Sequence, residues 1–208
     1  MMRVADQFDV RWAVTMLDEQ LERNRSHGLR TSVIEAQAER LGLETIFEGC
    51  DWPSYTAAFE RAVARAAAAG CTHVIFGDIF DDSHRAWTER VAATAGLVAV
   101  QPLWEESTDA LVREFIDRGG EARLVTVRES DLDASWLGRP LSLAVVDELA
   151  ARGLDPGGER GEYHSVVTSC PLFRAPLDLV DGAKVRYRGC WALDLLPAVP
   201  ASADHAAV

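Results

Sequence analysis

Lysine is almost absent from this chain: Lys184 is the only one in 208 residues, and every other basic side chain is an arginine. Chemistry that needs a lysine amine early in the sequence is therefore ruled out for these residues. Positive charge is scarce overall, with a net charge of -12 and an isoelectric point near 4.8. Polyphosphate backbones and anionic membrane surfaces select clustered Lys and Arg, so neither nucleic acid nor a membrane surface is an expected partner. A small nucleotide needs only local donors and is still allowed. Cysteine is sparse as well. Cys50, Cys71, Cys170 and Cys190 show no CxxC pairing, which argues against a disulfide framework or a zinc site and for reduced thiols. No run approaches the ~18 apolar residues of a membrane span, and no basic stretch leads into an apolar one at the start. The expected location is the cytoplasm, and no metal centre of the protein's own is expected.

What is present is a regular alternation of elements. Val10 to Met16 reads as a buried strand, and the charged run from Asp18 to His27 as a mobile loop or a short exposed helix. A helix is expected from about Leu29 to Leu41, with Gly42 placed to end it. A short strand over Thr45 to Phe47 follows. Next comes an alanine-rich helix entered at Ser54 and ending near Gly70, then the strand His73 to Phe76. A helix from about His84 to Ala95 and the strand Leu97 to Val100 complete this half. Strands alternating with helices of this length predict βαβ units, a mostly parallel sheet and right-handed crossovers.

The character changes after Gln101. A helix from Ser107 or Thr108 to Arg118 and a strand over Ala122 to Val127 are followed by a helix over Leu141 to Arg152. Short strands then fill the rest, at 165–168, 177–180, 184–187 and 191–195. The fold class is thus α/β, with a first lobe over 1–103, a smaller α+β lobe over 104–196 and a disordered tail over 197–208.

Two stretches concentrate polar chemistry. Gly158 to Ser165, GERGEYHS, packs Glu159, Glu162 and His164 into a glycine-punctuated turn that feeds a strand. The carboxylates could orient an amine, ammonia or Mg²⁺, and the imidazole could relay a proton. Tyr163 and His164 should face opposite sides of that strand. Ordinary solvated acids on a hairpin would read the same way. Phe76 to Arg85, FGDIFDDSHR, sets Gly77 and Asp78 just past an apolar strand, where ligands bind in open α/β sheets. Arg85 could grip a phosphate or carboxylate bidentately, while Asp82 or Ser83 could simply cap the following helix. Ser26 and His27 precede a helix N-terminus and could face an anion, or could form a plain helix-entry loop. Trp87, Trp136 and Trp191 read as packing residues.

Several segments in fixed order resemble the diphthine–ammonia ligase family, whose relatives include ATP-binding, adenine nucleotide alpha hydrolase-like proteins of the PP-loop group. They are VTMLDEQLERNRSHGLRTSVIEAQAERLGL, FGDIFDDSHR, GLVAVQPLW, WLGRPL, DPGGERGEYHS and CPLF. The resemblance runs from about Val10 to Leu195. It implies a Rossmann-like lobe for ATP, a second lobe over the substrate, and amide formation from a carboxylate and ammonia through an acyl-adenylate. ATP and Mg²⁺ are the implied cofactors. The acid is implied to be a small molecule or protein-borne, and a homodimer is compatible with the resemblance. Gly77, Asp78 and Arg85 match the family's GDI and following arginine, and Gly158, Glu159, Gly161 and Glu162 match its GE-x-GE turn. Where many members carry Glu-Thr, this chain has His164 and Ser165. The implied catalytic set is Asp78, Glu159, Glu162 and His164, and the implied nucleotide contacts are Thr15, Ser26, His27, Gly77 and Arg85. The family's SGGKDS-type loop has no counterpart in these residues, so a sheet short of its first strand is expected. A nucleotide hydrolase, or a non-catalytic binder of nucleotides or a partner, remains the alternative.

Overall fold

The computed structural model describes residues 1–187 and 189–198. Strand β1 (Trp12–Leu17) pairs in parallel with β2 (Glu44–Gly49), in register from Trp12 with Glu44 to Leu17 with Gly49. Helix α1 (Thr31–Leu41) links them and buries Val33, Ile34 and Ala38 at helical spacing. It stops where Gly42 takes φ 71°, a left-handed conformation that an L side chain resists. Helix α2 (Tyr55–Ala68) then returns across the sheet. Its buried Ala58, Ala62 and Ala66 recur every fourth residue, giving a smooth face that lies close on the strands.

Strand β3 (His73–Ile75), helix α3 (Asp82–Thr94) and strand β4 (Val98–Val100) form the second parallel pair. The sequence predicted Asp82 or Ser83 as the cap of α3, and the cap is Asp81. Its carboxylate accepts from the amides of Ser83 and His84, with its own backbone held at φ 87°. The parallel strands form two separate two-stranded sheets among the described residues, where the sequence predicted a mostly parallel sheet short of its first strand.

Helix α4 (Thr108–Asp117), capped by Ser107, leads into strand β5 (Glu121–Arg128). A 3-10 turn at Ala134–Trp136 and helix α5 (Leu143–Ala151) follow. Strands β6 (Tyr163–Ser169), β7 (Leu179–Tyr187) and β8 (Cys190–Pro197) complete the chain. They join β5 in an antiparallel sheet of order β6-β5-β8-β7. The two short strands expected at 177–180 and 184–187 are one strand with an irregularity between Asp181 and Lys184. The tail expected from 197 lies outside the described residues, apart from Pro197 in β8 and Ala198, whose N–H donates to Asp178 O at 2.9 Å.

The largest core lies on the antiparallel sheet, where Leu124, Val125, Val127, Trp136, Val146, Leu149 and Leu195 are almost fully buried. Leu29, Val33 and Ile34 belong to the same core, so α1 packs against β5 and β8 as well as its own strands. Polar ties follow the same route: Arg23 and Arg30 both reach Asp194 on β8, and Gln37 Nε2 donates to Val167 O at 2.8 Å. The run 18–27 is neither a mobile loop nor a helix. It folds back as a hairpin, bridging Leu17 with Asn24 and Arg23 with Arg30. No described helix is long and apolar enough to cross a membrane.

Candidate functional site

Arg25 beside the end of β1, the entry of α2 and the first turn of α3 come together through a row of ring contacts, with Asp78 bonded to its last member, His84. Asp78 lies three residues past the end of β3 and is half-buried. Its Oδ1 lies 2.5 Å from Nδ1 of His84, in the first turn of α3. Glu159 is exposed in the turn preceding β6. Crowding by protein on its inner side raises its carboxyl pKa above the ordinary value, and the charges of Asp155, Asp78 and Glu162 raise it further. Asp78 lies near enough for its charge to reach Glu159. Gly77 beside Asp78 is exposed, and a Cβ added there meets nothing within 4 Å, so the backbone faces open space.

Glu162 is buried at 5% exposure and has a different part. One carboxylate oxygen accepts from Asp155 N at 3.2 Å and the other from Arg160 N at 3.1 Å. It braces the turn that presents Glu159, with both oxygens directed into the loop. The turn is tight: Gly158 at φ 73° would bring a Cβ within 3.0 Å of the ring and carbonyl of Tyr163. Tyr163 and His164 separate to opposite faces of β6, as the alternation predicts. Tyr163 is buried in the main core, its hydroxyl donating to Pro156 O at 2.6 Å. His164 faces His27, with ring centroids 4.6 Å apart at 57°. Burial, then the neighbouring His164, lowers the pKa of His27 to about 4, and burial followed by Arg128 lowers that of His164. Both imidazoles are therefore neutral at pH 7, and the same burial makes them weak proton acceptors. The carbonyl of His27 is held by Thr126 Oγ1 at 3.0 Å.

The remaining sequence candidates scatter. Ser26 is exposed at the tip of the loop beside His27. Arg85 turns away from Asp78: its Nε donates to Glu89 at 3.0 Å and its guanidinium lies 4.9 Å from the Trp104 ring centroid. Thr15 points its backbone at β2 and lines a gap beside β1.

The sequence reading missed an aromatic wall. Trp52, Tyr55 and Trp87 follow one another at centroid distances of 5.6 and 5.9 Å, and His84 stacks on Trp87 at 5.9 Å. Trp87, read as a packing residue, is part of it. Trp52 is 62% exposed, too open for a core residue. Arg25 lies over Trp52 at 4.5 Å and donates through one guanidinium nitrogen to Cys50 O, while its buried Nε has no partner among the described residues. Burial raises the pKa of Tyr55; Cys50 and Asp78 raise it further while Arg25 opposes them. The run Cys50-Asp51-Trp52-Pro53-Ser54-Tyr55, two aromatics at a helix entry, was the available signal.

Family models match this architecture on both sides. Residues 1–99 match the diphthamide synthase N-terminal domain and residues 107–195 the diphthamide synthase C-terminal domain. The chain belongs to the diphthine–ammonia ligase family. A diphthine–ammonia ligase of Schizosaccharomyces pombe is 30% identical over 115 residues, 53% of this chain and 19% of that protein. Diphthine–ammonia ligases of Bos taurus and Homo sapiens are each 31% identical over 113 residues, 52% of this chain and 42% of theirs. The matched part of this chain thus spans less than half the length of these relatives.

Proposed function

We propose that this protein is an ATP-dependent ligase that joins ammonia to a carboxylate, on a Rossmann-like first lobe and in the cytoplasm. The observation that carries the reading is that Asp78 holds His84, which stacks on Trp87 at the end of the aromatic row, while its charge reaches Glu159 from the other half. Family membership supports the ligase class, and the relatives' names supply diphthine and ammonia as the pair to test first.

The described residues fit the adenosine end of ATP. Exposed Trp52 and half-buried Tyr55 offer faces for a purine, a stacking contact that any base can use. The open backbone at Gly77 lets a ligand approach closely. No three described His, Cys, Asp or Glu side chains stand together as a cation cage, so Mg²⁺ would arrive with the nucleotide. When bound, ATP supplies an adenylyl group that gives a carboxylate a leaving group ammonia can displace.

The chain's own residues then have distinct tasks. Glu159, its pKa raised, is placed to accept a proton from an attacking ammonium or amine. Asp78 carries charge opposite it and fixes the His84 ring. His164 and His27, both neutral, stand beside the same turn as a pair that can hydrogen-bond a polar substrate group. Glu162 keeps the turn in shape.

The test is AMP release from ATP in the presence of ammonium and a panel of carboxylic acids that includes diphthine. Release that needs both acid and ammonium, and that disappears in Asp78→Ala and Glu159→Ala with melting temperatures within a few degrees, is expected. Release independent of the acid would instead identify a nucleotide hydrolase. Loss of fold in both variants would make the carboxylates structural.

A further inference from the structure

Joining ammonia to a carboxyl group releases more protons than one side chain can hold. Ammonium, the prevailing form at neutral pH, has four N–H bonds and a primary amide has two. Two protons therefore leave the nitrogen, and Glu159 takes one of them in the ligase reading. The other acids of its turn are occupied. Asp155 accepts from Thr108 Oγ1 at 2.6 Å and Gly157 N at 3.0 Å, and Glu162 from the amides of Asp155 and Arg160. Histidine is the commonest side chain for such a transfer.

Among the described histidines, only His84 stands against a carboxylate. His27 and His164 face each other, and burial makes both weak acceptors. His73 packs on the ring of Phe8, with Nδ1 2.8 Å from Thr72 Oγ1. Nδ1 of His84 lies 2.5 Å from Asp78 Oδ1. A carboxylate only accepts, so the hydrogen of that bond belongs to Nδ1, and Nε2 keeps the free lone pair of the neutral ring. Nothing among the described residues bonds Nε2.

Three contacts hold the ring in place. The His84 N–H donates to Asp81 O at 2.9 Å, Nδ1 is tied to Asp78, and the ring face stacks on Trp87. Trp87 is itself anchored, its Nε1 donating to Thr56 Oγ1 at 3.1 Å. Exposure rises outward along the pair: the Asp78 side chain is 17% exposed and that of His84 60%. A shielded carboxylate behind an open imidazole fixes the tautomer and stabilises the imidazolium that forms. Among the described residues no other cation pairs with Asp78, and Arg85 is engaged with Glu89.

We infer that His84 is the second proton acceptor of the amide-forming step, positioned by Asp78, a role that rests on the ligase reading. Glu159 first takes a proton from ammonium. The freed lone pair then forms the C–N bond at the activated carboxyl carbon, and the carbonyl π pair moves onto oxygen. Nitrogen, now positive, gives one proton to Nε2 of His84. The pair on oxygen re-forms the double bond, and the leaving group departs with its bonding electrons. One amide results, and each side chain holds one proton for release to water.

The free protein gives the first readout. Long-range ¹H–¹⁵N spectra of the isotope-labelled chain should show the neutral His84 ring with its hydrogen on Nδ1 and Nε2 bare, a preference that Asp78→Ala removes. A hydrogen on Nε2 in the wild type would overturn the proposal. The second readout is amide formation from ammonium, with ATP and the panel of acids. His84→Asn keeps an N–H where Nδ1 stood, and so the tie to Asp78, but puts nothing in place of Nε2. It should lower the rate roughly a hundredfold or more, the scale of general-base transfer, with the melting temperature within a few degrees of the wild type. Added imidazole should restore part of the rate to His84→Ala. Amide made by the wild type and equally fast by His84→Asn would overturn the role of His84 alone. No amide from the wild type with any acid would overturn the ligase reading, and this role with it.

Discussion

The rings of His27 and His164 stand 4.6 Å apart, one from the hairpin before α1 and one from β6, so this pair spans the two halves of the chain. Both are held neutral, His27 with a pKa lowered to about 4. The unfolded chain, with ordinary histidines near 6.5, binds more protons below that pH than the folded one. Stability is therefore expected to fall as pH drops from about 6.5 toward 4. Melting curves across that range should show the slope, and His27→Gln should flatten it. An unchanged slope in His27→Gln would mean that His27 is not buried in neutral form.

Asp194 joins the halves by a different force. Arg30 donates to both of its oxygens at 2.9 and 2.7 Å, and Arg23 adds a third bond at 2.9 Å. The bond from Arg30, and then that from Arg23, outweigh burial and lower its pKa to about 2. Its contribution is present above the ordinary carboxylate pKa and lost as pH falls from about 4 through 2. Asp194→Ala is expected to cost about 1–3 kcal/mol at pH 7, the range for bonds to charged groups. Urea unfolding measures this, and a cost near zero would make the contact incidental.

Asp78 and Glu159 provide a test of geometry that needs no substrate. Part of the raised pKa of Glu159 comes from the charge of Asp78, so Asp78→Asn should lower it. Carbon-detected titration of the Glu159 carboxyl reads this directly. An unmoved Glu159 would separate the two segments.

The aromatic wall predicts a split between binding and stability. Trp52 is mostly exposed, so Trp52→Ala should leave stability within about 0.5 kcal/mol. Nucleotide affinity should weaken roughly tenfold or more, since stacking on a base contributes about 1–3 kcal/mol. Unchanged affinity for Mg·ATP would remove Trp52 from the nucleotide site.

Much of this arrangement was legible in the sequence. The apolar runs at β1 and β3, the glycine after α1 and the alternation in β6 depend on local periodicity, and each element fell within a few residues of its expected span. Local pattern could also place Asp78 at a strand end. It could not show that Arg85 swings to Glu89 and Trp104, or that Glu162 folds inward onto its own loop, because both depend on neighbours made by the fold. The wall of Trp52, Tyr55 and Trp87 is assembled from two helices, so no single window of sequence contains it.

The most direct measurement is a titration of the isotope-labelled protein with Mg·ATP, following backbone amides by NMR up to millimolar nucleotide. The account predicts saturable shifts at Gly77 and Arg25 in the first half and at Gly158 and Glu159 in the second, with one dissociation constant. Shifts confined to one half, or none at millimolar nucleotide, would contradict a shared nucleotide-dependent site.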